Sequence, residues 1–257
     1  MIVHGPSRQA TKAARRALES AVPTAEFHEA VADFSSQSEV NDLAAEVQDR
    51  FGTLDVLVNN AAAVFDTWSA DGVGVESTFA VNHLAPYLLT RRLLPALERG
   101  DASRIVIVAS ESHRKARWNS DDLGQPGRYD RFDAYARSKL ANLLFNAELA
   151  RRLADAGSKV TTNATHPGTL RTSLFRPRNL AERVVIPIIN LRAVSPEAAS
   201  AGIAWLATSD DMAGQSGGYY HKGRTVEPSP VVADEQNGFE LWKLSAELTD
   251  LPIELDG

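Results

Sequence analysis

The sequence contains no cysteine. Disulfide frameworks, thiolate zinc sites, iron–sulfur clusters and cysteine nucleophiles are therefore excluded. Long apolar runs are also missing. The longest, Val184 to Ile189, falls far short of the ~20 residues a membrane-spanning helix needs, so no membrane span is expected. The first residues, Met1 to Arg8, do not form the charged-then-apolar pattern of a secretory leader. Excess positive charge is absent too: 27 Lys and Arg stand against 33 Asp and Glu, a net charge of −6. A dedicated nucleic-acid binder would carry a basic footprint, so no nucleic-acid partner is expected. His83, His113 and His166 are isolated, without metal-ligand spacing; they read as structural histidines, and no metal site is expected. What remains is ordinary for a folded domain, with 44% hydrophobic and 23% charged residues. The expectation is a soluble cytoplasmic protein of one α/β domain spanning residues 1–257.

Short apolar runs alternate with longer amphipathic segments. Strands are expected at Ile2–His4, Glu26–Ala32, Leu54–Asn60, Arg104–Ser110, Val160–Thr165 and Gly217–His221. Helices are expected at Gln9–Ala21, after Ser36, at Gly74–Leu97, Phe132–Ala154, from Pro196 and at Val232–Leu248. Ser36-Gln-Ser-Glu39 is a capping box. Behind it Val40, Leu43, Ala44, Val47 and Phe51 share a helical face, and Gly52 stops the helix. Apolar strands alternating with crossover helices imply a doubly wound, mostly parallel, Rossmann-like sheet. The acidic stretch from Glu227 to Gly257 and the basic stretch from Arg91 to Arg117 read as solvated faces.

In such sheets ligands lie beyond the carboxyl ends of the strands. Those ends carry Asn59-Asn60, Ser110 and Pro167-Gly168. Tyr135 and Lys139 are four apart in a helix and so share a face. An ammonium beside a phenol favours the phenolate, which suits Tyr135 to acid–base work. Ser110 can donate to an oxygen on which charge develops, or it can simply cap a turn. Asn82 lies within a helical segment where asparagine is unfavourable; it has either a polar task or a solvent-facing one.

Taken together, Asp33, Asn59-Asn60-Ala61, Asn82, Ser110, Tyr135-x-x-x-Lys139 and Pro167-Gly168 follow one order. The chain resembles the short-chain dehydrogenase/reductase superfamily. Further segments resemble its retinol-dehydrogenase-like branch: Arg104–Ser110, Ser138–Phe145, His166-Pro-Gly168 with Arg171-Thr172, Gly217–Tyr220 and Pro228–Pro230. The resemblance implies an oxidoreductase that uses NADP or NAD to interconvert an alcohol and a carbonyl. Tyr135 would exchange the proton with the substrate oxygen. Lys139 would tune Tyr135 and hold the nicotinamide ribose. Ser110 would orient the carbonyl, and Asn82 would support a proton relay through water. Asp33 and Phe34 would lie near the adenine, Asn59 and Ala61 near its ribose, and Pro167, Gly168 and Thr172 at the nicotinamide end. The resemblance also implies a homodimer or tetramer formed through the helices bearing Asn82 and Tyr135. The apolar, arginine-flanked stretch from Leu174 to Val194 lies where the family places its substrate loop, which suggests a lipophilic small-molecule substrate. Arg8 could reach a 2′-phosphate and favours NADP, or it is simply exposed at a helix start.

One family feature is missing. No Gly-x-x-x-Gly-x-Gly turn follows a first strand; Gly5 leads into Pro6-Ser7-Arg8-Gln9-Ala10-Thr11. Either Ile2–Gly5 is a degraded first strand, or it is the second strand and the first β–α unit, on the order of 30 residues, is absent. Spacing favours the second alignment. The first strand would then be missing or replaced, which leaves the second and third strands without a neighbour joining them to the fourth. The rival reading is accordingly a truncated or pseudoenzyme member that cannot hold the dinucleotide and acts as a non-catalytic binding protein. A relative of the light-dependent reductases is a third option.

Overall fold

A computed structural model describes residues 1–72, 74–119, 129–168 and 195–255. Strand β1 (Ile2–Gly5) leads into α1 (Arg8–Ala21), β2 (His28–Val31), α2 (Gln37–Phe51) and β3 (Val56–Asn59). A short helical turn α3 (Ser77–Phe79) and a π-turn (Ala80–Leu84) precede α4 (Ala85–Glu98) and β4 (Arg104–Val108). Then come α5 (Arg131–Asp155), β5 (Thr161–Thr165), α6 (Pro196–Thr208), β6 (Tyr219–His221), β7 (Arg224–Thr225) and α7 (Glu235–Leu248).

The expected α/β architecture is present, a mostly parallel sheet with helices on both faces. Strands β3-β4-β5-β6-β7 form a five-stranded sheet, parallel except for β7. β1 and β2 form a separate parallel pair, with Ile2 opposite His28 and Gly5 opposite Val31. Among the described residues, no ladder joins β1 to β3. The pair is anchored through helices instead: α1 packs on β1 and β2, and α2 packs on α4. Ala30, Ala32, Val40, Leu43 and Val47 join the same apolar core as the residues around α4 and α5.

Side-chain alternation assigns the two sheet faces. Ile105 and Ile107 of β4 pack into the large core with α4, α5 and α7, whereas Val106 faces Leu206 of α6 and Met212. On β3, Leu57 and Asn59 are buried while Val58 stays 40% exposed.

Local signals behave largely as their chemistry dictates. Ser7, Ser36, Asp130, Ser195 and Asp234 cap their helices with side-chain oxygens. The capping box departs in one respect. Ser36 accepts from the Glu39 amide, but the Glu39 carboxylate takes the amide of Asp33, because the Ser36 amide already donates to the Asp33 carbonyl. The segment expected to be helical from Gly74 starts at Ser77, where buried Glu76 accepts from the Thr78 and Phe79 amides. β7 has no counterpart in the sequence expectations; at two residues it is too short to leave a periodic signal.

Candidate active site

The carboxyl end of β4 meets the N-terminal half of α5, where Lys139 donates to the Val108 carbonyl, and β5 packs along the same helix. Ser110 follows β4, is half-buried, and caps the 3₁₀ turn Glu111–Lys115 by accepting from the Ser112 amide at 3.2 Å. Capping does not keep Ser110 from the helix beyond, because its side chain also hydrogen-bonds Tyr135. Behind it, His113 Nδ1 donates to the Ser110 carbonyl at 2.7 Å and Nε2 accepts from the Ser229 amide at 3.0 Å. His113 therefore braces the serine turn from its buried side.

Tyr135 and Lys139 share one face of α5, with the ammonium 5.7 Å from the phenol ring centre. The Lys139 side chain is buried and donates to the Val108 carbonyl at 2.9 Å. Burial pulls its pKa down to about 8, which leaves it protonated at neutral pH. The phenol differs from the sequence expectation. Burial raises the Tyr135 pKa above its ordinary value, and the Ser110 hydrogen bond only partly opposes this. With its pKa raised by burial, Tyr135 is protonated at neutral pH.

Asn82 is fully buried in the π-turn. Its Oδ1 accepts from the Ala63 amide at 2.7 Å, and its Nδ2 donates to the Ala63 carbonyl at 2.9 Å and to Ser138 Oγ at 3.0 Å. Both amide protons are thus committed to protein, and the side chain clasps the loop after β3 to α5. Ser138 in turn donates to the Tyr135 carbonyl at 2.8 Å.

The remaining candidates separate into two groups. Pro167 and Gly168 follow β5 and are half-buried, with Gly168 at φ 89°. Such a backbone favours glycine. Asn59 is buried and donates to Thr90 on α4 at 2.9 Å, so its side chain ties β3 down; Ala61, two residues on, is half-buried. Asp33 and Phe34 lie at the end of β2, on the separate strand pair. Exposed Asp33 accepts from the amide and hydroxyl of Ser35, and Phe34 stacks on His4 with ring centres 4.3 Å apart. Thr172, Arg171 and the stretch from Leu174 to Val194 lie outside the described residues. Sequence reasoning missed Ser138, Thr90 and the bracing role of His113. Ser138 was signalled by its place one residue before Lys139.

The short chain dehydrogenase family model matches residues 1–183. The chain belongs to the short-chain dehydrogenase family. It is 36% identical to human retinol dehydrogenase 13 over 226 residues, 85% of this chain and 67% of that protein. Human retinol dehydrogenase 14 is also 36% identical, over 85% of this chain and 66% of its own length. The chain thus spans about two thirds of the length of these relatives. Among solved structures, an uncharacterized protein from Mycobacterium Paratuberculosis superposes with a TM-score of 0.75 at 30% identity, covering 100% of this chain and 85% of that one. The family and its retinol-dehydrogenase-like branch agree with the resemblance read from the motifs.

Whether the residues fit a nicotinamide dinucleotide can be tested end by end. At the nicotinamide end they do. A buried ammonium has three donors, and the Val108 carbonyl takes one from Lys139, which leaves capacity for ribose hydroxyls beside Tyr135. At the pyrophosphate end the sequence carries no Gly-x-x-x-Gly-x-Gly turn, and the turn after β1 does not substitute for one. A Cβ on Gly5 would sit 2.7 Å from Thr11 Oγ1, so this glycine serves close packing of β1 against α1. No run of glycines frees backbone amides there for a phosphate.

Proposed function

We propose that the chain is an oxidoreductase that interconverts an alcohol and a carbonyl with NADP or NAD, on a lipophilic small-molecule substrate. The observation that carries this reading is the Ser110–Tyr135 hydrogen bond with the Lys139 ammonium buried behind the phenol. The dinucleotide supplies the hydride in reduction and takes it up in oxidation. Ser110 turns its hydroxyl to the substrate oxygen and holds the carbonyl in line. Tyr135, protonated at rest, donates its proton to that oxygen as negative charge grows on it. Lys139 stabilises the phenolate left behind, an interaction that strengthens only once the proton has moved. Asn82 keeps the floor of the site in register through Ala63 and Ser138 instead of relaying protons with its side chain.

The names of the two human relatives support a lipophilic substrate. Arg8, exposed at the first position of α1 after β1, supports NADP. Self-association as a dimer or tetramer through the helical segments bearing Asn82 and Tyr135, and a cytoplasmic location, belong to the same proposal. α7 packs along α5, so it would form part of such an interface.

The split sheet favours a second reading. With no ladder between β1 and β3 among the described residues and no glycine-rich turn at α1, the chain grips the dinucleotide poorly or not at all and acts as a non-catalytic binding protein. Initial rates of NADPH-dependent reduction of lipophilic aldehydes and ketones separate the two. Turnover that disappears in Tyr135→Phe supports the enzyme, and no turnover with no thermal stabilisation by NADPH supports the second reading.

A further inference from the structure

Asn82 and His83 are adjacent, yet both bond to the same stripe of α5. Asn82 reaches Ser138, and His83 Nδ1 lies 3.4 Å from Asn142 Oδ1. On a regular α-helix neighbouring side chains diverge by about 100°. The π-turn, in which the Ala85 amide donates to the Ala80 carbonyl five residues back, widens the helix and lets both residues face α5. Such turns hold only where tertiary contacts favour them over the α-helical alternative. The contact here comes from the far end of the chain: His83 Nε2 meets Ser245 Oγ of α7 at 2.9 Å. Both residues are fully buried. With Nδ1 donating to Asn142, Nε2 accepts from the Ser245 hydroxyl.

We propose that α7 is a positioning element of the site: through Ser245 and His83 it holds the π-turn in the register that aims Asn82 at Ala63 and Ser138, one helical turn from Tyr135. The rest of α7 is fastened to make this possible. Trp242 Nε1 donates to the Ile253 carbonyl at 2.6 Å, and its ring packs 5.1 Å from that of Tyr87. Arg91 donates to the Pro252 and Glu254 carbonyls at 3.0 and 2.6 Å. The kinetic part of this inference rests on the proposed oxidoreductase activity; the structural part does not.

The test therefore has two arms on the full chain. In the first, NMR follows the Asn82 side-chain amide and the exchange of the Ala63 amide proton. Ser245→Ala and His83→Asn, which both lose the tie to α7, shift the Asn82 signal and speed Ala63 exchange at least tenfold. His83→Gln, which can still accept from Ser245, restores wild-type behaviour. Gln37→Ala, which removes only the bond from Gln37 to the Leu248 carbonyl at the end of α7, leaves both signals alone. In the second arm, Ser245→Ala lowers kcat about fivefold with little change in KM, and has no further effect on kcat in an Asn82→Ala background. Unchanged Asn82 and Ala63 signals in Ser245→Ala, or equal changes in Gln37→Ala, overturn the proposal. A wild-type chain without turnover overturns the proposed activity, while the NMR arm still decides the role of α7.

Discussion

On one face of the five-stranded sheet, Tyr87, Phe145 and Trp242 are buried together, with Arg91 and Arg152 lying over the Trp242 ring at 5.0 and 4.5 Å. On the other face, a small cluster of Val106, Leu206 and Met212 is buried, with Ile203, Trp205 and Tyr220 partly buried against it, and Val58 of β3 is 40% exposed. The same contrast runs along the chain. The end that carries Ser110, Tyr135 and Lys139 is held by interlocked helices, whereas among the described residues β1 and β2 form a ladder only with each other. The difference teaches where precision is invested. Hydrogen bonds and packed rings tie the residues around Tyr135 to several helices, while no glycine-rich turn in the sequence serves a phosphate.

Substitutions should feel this asymmetry in proportion. The largest effect is expected for Tyr135→Phe, which removes the proton donor. It should lower kcat by about 10³-fold, near the middle of the range for a positioned acid, with the melting temperature preserved. Trp242→Ala should cost about 4 kcal/mol of stability in denaturant titration, because it empties the packed side of the sheet. Acid should weaken the same side. Burial holds His83 down to about 3, so the unfolded chain takes up a proton near pH 6.5 that the native state refuses until much lower pH. The stabilisation is complete above pH 6.5 and is lost as pH falls, by about 3 kcal/mol at pH 4. Chemical denaturation at pH 7 and pH 4 should show this loss reduced in His83→Gln. The smallest effect is expected on the open side. Val58→Thr should change stability by less than about 0.5 kcal/mol, as surface substitutions do, and a cost above about 2 kcal/mol would mean that this face is covered in solution.

Much of the fold was legible because it is encoded locally. Ser36 and Gly52 bound α2, Ser195-Pro196 opens α6, and the apolar run around Ile105 marks β4 as an interior strand, paired with β3 on one side and β5 on the other. The pair Tyr135 and Lys139 was legible from helical spacing. What escaped depends on partners far away in the chain. The π-turn at Asn82 is supported by Ser138 and, through His83, by Ser245, which lies 162 residues from His83. Mid-helix asparagine hinted at a polar task but carried no information about its partners. The phenol's raised pKa escaped for a similar reason: spacing shows that Lys139 is near, whereas burial and the Val108 carbonyl decide what its charge accomplishes.

The central claim is that the residues of this chain fit the nicotinamide end of the cofactor, while no glycine-rich turn among them fits its pyrophosphate. Calorimetric titration with NADPH and with reduced nicotinamide mononucleotide measures it directly. The account predicts that both bind and that the dinucleotide gains less than about tenfold in affinity, roughly 1.4 kcal/mol. A gain of about 10³-fold or more for the dinucleotide would contradict it.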